Sequence, residues 1–482
     1  MPVALSMLVC LLLAGCAGTS TSTAPTLFVL RDGLGNFGLD RGDGPIVALD
    51  ATNGHLLWQH KQANLLSGVA TVGPLLQPTV QDGLVYVPTS YRDLSKVFSY
   101  YAELAALDLA TGQDRWRHEI AAPQDANTGV STMPAAAHGV VYLSSVTFET
   151  PVNGQTPTLH GFVEALDSHT GSVRWSTTLT HSSSAPVVAD GRVVVLSGDK
   201  LVALDPNDGA VKWTFAPPGG SFVDLHSGIP PITTDFVVTG DPAPLVAQHL
   251  VMVEATESDA AGHGLGATWF AVNTSDGSLA WRSARSAPGA VVSRPVLNES
   301  GSVLCVSAHT SDGRNSVTGL SLTTGNTLWT VPTSATLSVC ATAGELFYLI
   351  QGNQADAGGG LLALESQTGR QVWHTSTTFT SAAFNSGVAA PPQRHGLAAL
   401  SLPGRCTEAG CANDTIAVVR LSTGDILWQR DFNPVSGLAV TIAGDQVVVP
   451  QSSHTSSGSS SQLVAYALQT GTQAWVYALG QV

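Results

Sequence analysis

The stretch Ala106-Leu107-Asp108-Leu109-Ala110-Thr111-Gly112-Gln113-Asp114-Arg115-Trp116 decides the fold. A short apolar run ends in Asp, a turn follows with Gly where the backbone needs positive φ, and a second strand resumes and carries a Trp. That is a β-hairpin with its turn residues in place, the Asp and Thr side chains able to accept from turn amides. The stretch is also a repeat. Gly is followed four residues later by Trp at Gly54/Trp58, Gly112/Trp116, Gly171/Trp175, Gly209/Trp213, Gly277/Trp281, Gly325/Trp329, Gly369/Trp373, Gly424/Trp428 and Gly471/Trp475, so that of ten Trp only Trp269 stands outside the rule. The Ala slot holds at residues 48, 106, 165, 203, 271, 363 and 465. Asp fills its slot at Asp50, Asp108, Asp167 and Asp205, and Asn273, Ser321, Glu365, Arg420 and Ala467 replace it later. One Trp per repeat at a fixed register reads as packing between repeats, with the ring buried and its N–H seeking a carbonyl. Ligand stacking is the alternative.

A second signature precedes most hairpins. Pro, a few small or apolar residues, a Gly turn and a β-branched run recur with constant Pro-to-Gly spacing at Pro78/Gly83, Pro134/Gly139, Pro186/Gly191 and Pro391/Gly396. This describes a strand, a tight turn and a strand, so each repeat holds four strands, A to D. Ser176 to Trp213 contains all four and has the size of a propeller blade.

The Ala-x-Asp-x-x-Thr-Gly-x-x-x-Trp pattern resembles the tryptophan-docking motif of propellers of the pyrroloquinoline-quinone (PQQ) type, over residues 27 to 482. The resemblance implies an all-β chain forming an eight-bladed β-propeller of four-stranded blades. Eight full repeats end in the Trp residues from 116 to 475. A hairpin over Ile46 to Gln59 carries a ninth motif, which either joins the closing blade or stands apart.

The N-terminus reads as a leader. Val3 to Gly15 is apolar and too short to span a bilayer, as in a signal peptide over residues 1–15. Leu13-Ala14-Gly15-Cys16 resembles the lipobox of bacterial lipoproteins, which implies a lipid on Cys16, although no Lys or Arg precedes Arg31. Residues 16–26 then form a Ser/Thr-rich tether. Without Cys10 and Cys16, four Cys remain, an even number suited to an oxidising compartment. Cys406 and Cys411 share a Gly-containing loop and are expected to close on each other. Cys305 and Cys340 fall in strands of successive repeats, as a second disulfide or as two buried thiols. No metal-site spacing accompanies them.

Formal net charge of −15, with no basic stripe, excludes nucleic acid as a partner. Strand alternation puts the tight A–B and C–D turns on one face and the B–C and D–A connections on the other. Nearly every long insertion belongs to the second set, including 88–103, 144–159, 214–243, 254–267, 402–415 and 451–461. Extended loops on one face of a rigid ring are where binding resides. Tyr91, Phe98, Tyr100, Tyr101, Phe222 and Ile232 are the candidate partner contacts; solvated loops shielding blade edges are the alternative.

Two functions compete. The first is a non-catalytic, monomeric scaffold for an envelope protein partner, exported and held to the membrane by the lipid on Cys16, with no cofactor, similar to the lipoprotein propeller of the outer-membrane β-barrel assembly machine. The second is a quinoprotein dehydrogenase holding PQQ and Ca²⁺ and oxidising alcohols or sugars. Its alcohol-oxidising members carry adjacent Cys over the cofactor, and this chain has no Cys-Cys pair. No Gly-x-Ser-x-Gly elbow or His-Glu-x-x-His helix gives hydrolase chemistry a foothold.

Overall fold

The computed structural model describes residues 11–12, 27–31, 46–60, 69–71, 78–93, 100–120, 126–130, 133–149, 159–181, 183–218, 221–222, 244–258, 264–287, 291–292, 295–309, 315–333, 338–351, 359–379, 393–402, 406–407, 410–411, 414–432, 440–455 and 458–479. They build nine antiparallel sheets of four or five strands and one two-stranded ribbon, with no helix. Each sheet is one blade, taken here in chain order.

The repeated hairpin forms the outer half of every blade. In blade 2, strand C (Tyr100–Asp108) pairs with strand D (Asp114–Ile120), and Ala106 lies directly opposite Trp116 with the register shifting just after it. The same pair and bulge recur from Ala48/Trp58 to Ala465/Trp475. The Ala slot is therefore small because the blade's own indole lies across it. Where Ala is missing, Gly319 faces Trp329 and Val418 faces Trp428. The Asp closes the turn: Asp108 Oδ1 accepts from the amides of Ala110 and Thr111 and from the Thr111 hydroxyl.

Each Trp then reaches the next blade. Its ring covers that blade's turn glycine, and its indole N–H donates to a turn carbonyl. Trp58 donates to Leu109, Trp116 to Ser168, Trp175 to Pro206, Trp213 to Thr274 and Trp281 to Leu322. Trp329 donates to Ser366, Trp373 to Leu421 and Trp428 to Leu468. Trp475 of the last blade donates to Ala51 of the first at 3.0 Å and lies over Gly54. The docking is thus cyclic, and the nine tryptophans serve as packing residues.

The ring is a propeller, as the motif implied, but among the described residues it has nine blades instead of eight. Leu27–Arg31 pairs with Ile46–Asp50, which in turn pairs with Leu56–His60, in a sheet of their own, whereas the last blade is built entirely from strands between Thr441 and Leu479. The N-terminal hairpin docks at both seams, so it counts as a blade.

The core is divided among the seams. Successive residues of a strand point to opposite neighbours: Val193 and Val195 of blade 4 pack toward blade 3, while Val194 packs toward blade 5 with Trp213, Val251, Val253 and Phe270. Nine such clusters fill the nine seams. Buried Cys305 belongs to the blade 6–7 seam and is disulfide-bonded, and its strand lies against Ser338–Ala343, which carries Cys340. Cys406 and Cys411 stand opposite each other in the two-stranded ribbon.

Candidate interaction face

The two faces of the ring differ in what their residues are committed to. On the tight-turn face, polar side chains tie turns to themselves or to the next blade. Asp108 pairs with Arg115, Asp167 with Arg174 at 2.7 Å and Asp205 with Lys212 at 2.9 Å. The Arg174 guanidinium, reinforced by the amides of His169 and Thr170, pulls the Asp167 carboxyl down to about 2.

Neighbouring A–B turns are also linked in series. Asp190 holds His249 at 3.1 Å and accepts from the Thr274 hydroxyl. Gln248 donates to Gly301 and the Ser300 amide donates to Glu345. Gln393 donates to Thr342, and Arg394 pairs with Asp445 at 2.9 Å. The links run from blade 4 to blade 9. This face is occupied with holding the ring.

The opposite face is built for reach. Part of what loop length suggested is regular strand: the B–C hairpins continue outward as Leu84–Asp93 with Tyr100–Asp108, Val140–Glu149 with Leu159–Asp167, Leu250–Ser258 with Gly264–Asn273, and Gln446–Thr455 with Gly458–Ala467. In blade 4 the equivalents are only Arg192–Ser197 and Lys200–Leu204. Strand B is three residues longer in blade 5 and four longer in blades 2, 3 and 9, which projects it by about 10–13 Å at roughly 3.3 Å per residue. Blade 4 is therefore a low point between the tall hairpins of blades 3 and 5. Short inner strands brace the tall ones, as Ala126–Val130 does along Ser145–Glu149.

Of the candidate contacts, Tyr91 and Tyr101 are directly opposed on the blade 2 hairpin, and Tyr100 is opposed to Arg92. Phe222 pairs with Ala255 on blade 5, away from the tyrosines. Phe98, Ile232 and Cys16 lie outside the described residues.

Sequence reading passed over two polar sites in the seams between blades. Glu254, on strand B of blade 5, is opposed to Trp269 and faces blade 6, and burial alone pushes its carboxyl up to about 7. The Trp269 indole N–H is buried without an acceptor among the described residues. The corresponding positions in blades 2, 3, 4 and 9 are Pro88, Ser144, Leu196 and Pro450, so an acid in that row was the available signal. At the blade 2–3 seam, His118 Nε2 lies 3.3 Å from Glu164.

A family model described as outer membrane protein assembly factor BamB matches residues 25–153, 156–262 and 260–477. The chain belongs to this family of PQQ-like propellers. It is 26% identical over 223 residues to outer membrane protein assembly factor BamB of Yersinia pestis, covering 44% of this chain and 48% of that protein. It is 27% identical over 154 residues to quinoprotein alcohol dehydrogenase PedH of Pseudomonas putida, covering 29% of this chain and 22% of that protein. The chain thus spans less than half the length of either curated relative it matches. The crystal structure of a eukaryotic initiation factor superposes on 95% of this chain and 96% of its own with a TM-score of 0.55 at 10% identity, a likeness of fold alone.

Among the described residues no three His, Cys, Asp or Glu side chains converge as metal ligands.

Proposed function

We propose that this propeller is a non-catalytic scaffold of the cell envelope, anchored by a lipid on Cys16, that binds a protein partner through its long-loop face. One observation carries the reading: the tight-turn face spends its polar groups on turns and blade-to-blade links, while the other face sends out strand-braced hairpins with opposed tyrosines. Such hairpins form rigid projections with aromatic side chains, the residue type that dominates protein interfaces. Similarity to an outer membrane protein assembly factor supports the envelope setting. The test is to replace residues 91–101 by an Asn-Gly turn, which keeps Ser90 opposite Ala102 and leaves the blade 2 docking motif intact. A partner co-purified from the native envelope is lost on this trimming while the ring keeps its unfolding midpoint. Unchanged recovery of that partner contradicts the reading.

The similarity to a quinoprotein alcohol dehydrogenase favours a second reading, oxidation of alcohols or sugars with PQQ and Ca²⁺. Titration of the purified protein with PQQ and Ca²⁺, followed by absorbance and by dye reduction with alcohols and glucose, separates the two. Saturable binding with turnover establishes the second.

A further inference from the structure

The first blade is completed by residues that the mature chain would not keep. Each of the other eight sheets draws its inner strand from its own repeat. In blade 1 the inner place is held by Leu11–Leu12, paired antiparallel to Leu27–Arg31 with Leu11 opposite Val29 and Leu12 opposite Phe28. Those two residues lie in the apolar segment ahead of Cys16. Cleavage before Cys16 removes them and leaves Leu27-Phe28-Val29-Leu30-Arg31 as an inner edge.

The sequence of that edge offers little protection. It is apolar over four residues, contains no Pro and carries a single charge at its end, and such edges recruit another strand unless covered. Its place at the inside of the ring restricts what can cover it. Two whole sheets cannot meet edge to edge there, so the occupant is one extended segment running antiparallel, with apolar character like the Leu-Leu it replaces. Strand addition of this kind takes affinity from main-chain hydrogen bonds and specificity from alternate side chains.

The geometry points to the inner edge of Leu27–Arg31 in the processed protein as a docking site for an extended apolar segment of a partner protein. The site is distinct from the long-loop face, and the inference rests on the proposed removal of residues 1–15. The strand has a defined direction: Leu27 is opposed to Asp50, which opens the Gly54 turn, so Leu27 lies at the tight-turn face. A segment aligned like Leu11–Leu12 runs from the long-loop face toward the tight-turn face.

Hydrogen exchange of the Leu27–Arg31 amides is the test, comparing the native processed lipoprotein in detergent with full-length Cys16→Ala, which keeps its leader. The probe is a synthetic peptide of residues 8–13 with Ser for Cys10 and flanking lysines, against a polar peptide of equal length and charge. The expected result is exchange at least about tenfold faster in the processed protein, a local opening, with protection restored by the apolar peptide and not by the polar one. Equal protection without peptide, or no response to the apolar peptide, overturns the inference. Mass spectrometry of the N-terminus separates this from failure of the anchoring premise: a native protein that retains residues 1–15 removes both, whereas cleavage at Cys16 with unchanged exchange removes only the docking site.

Discussion

Trp329 and Trp269 show how the same residue type serves two ends. Trp329 is a docking residue, and its ring lies so close to Gly319 that an added methyl would run into Nε1 and the ring carbons. Gly319→Ala is therefore expected to destabilise the fold by about 1–3 kcal/mol, the usual cost of overpacking, although Ala is the residue at this slot in seven other blades. Urea denaturation checks this, and an unchanged midpoint contradicts it. Trp269 instead faces Glu254, whose carboxyl is held near 7 by burial alone. The unfolded chain releases that proton near 4.5, so between the two values the folded state binds more protons and stability falls as pH rises. Below about pH 4 there is no penalty, and above about pH 7 it is complete, at most about 3 kcal/mol. Glu254→Gln should consequently stabilise the protein at pH 8 and leave it unchanged at pH 4 in matched denaturation curves. A gain of equal size at both pH values would mean that the titration of Glu254 is not the cause.

At the scale of the hairpin, the turn and its salt bridge act together. Asp167 accepts from two turn amides and pairs with Arg174. Its folded value of about 2 lies below the ordinary 3.8. The stabilisation is present above about pH 4 and is lost as pH falls toward 2. Arg174 is largely solvated, which limits the pair's share to below about 1 kcal/mol. Asp167→Asn should cost that little at pH 7 and progressively less as pH falls through 2, by thermal unfolding across pH; a cost that does not shrink between pH 7 and pH 2 contradicts it. These hairpins were legible in the sequence because their chemistry is local: Asp, Thr, Gly and Trp lie within nine residues of one another. The inner strands were not. Leu11–Leu12 and Leu27–Arg31 are separated by the tether and share no motif, which is why the N-terminal hairpin could not be counted as a blade. Glu254 was missed for a related reason, since its burial comes from blade 6. The tyrosines of blade 2 could be read as a group, whereas Phe222 joined them only through loop length and sits on another blade.

For the whole ring, closure has one seam with no covalent connection. Between blades 4 and 5 the chain itself holds the partners together, whereas blades 9 and 1 meet through Trp475, Val47, Leu49, Ala51 and their neighbours. Truncating a buried Trp costs about 3–5 kcal/mol, and a seam without a connecting loop has no local concentration to offset that loss. Trp475→Ala should therefore speed amide exchange in Ile46–Asp50 and Gln446–Thr455 more than Trp213→Ala does in Lys200–Leu204 and Leu250–Ser258. Equal local effects would mean that the two seams are closed alike. The faces of the closed ring are then unequal, one tied up in turn-to-turn links and the other carrying the projecting hairpins. The most direct test of the binding assignment is photo-crosslinking in the native envelope, with the crosslinker placed at Tyr101 on the long-loop face or at Gln113 on the tight-turn face. The expected outcome is a discrete protein adduct from Tyr101 and none from Gln113, whereas the same adduct from Gln113 alone would place the partner on the wrong side of the ring.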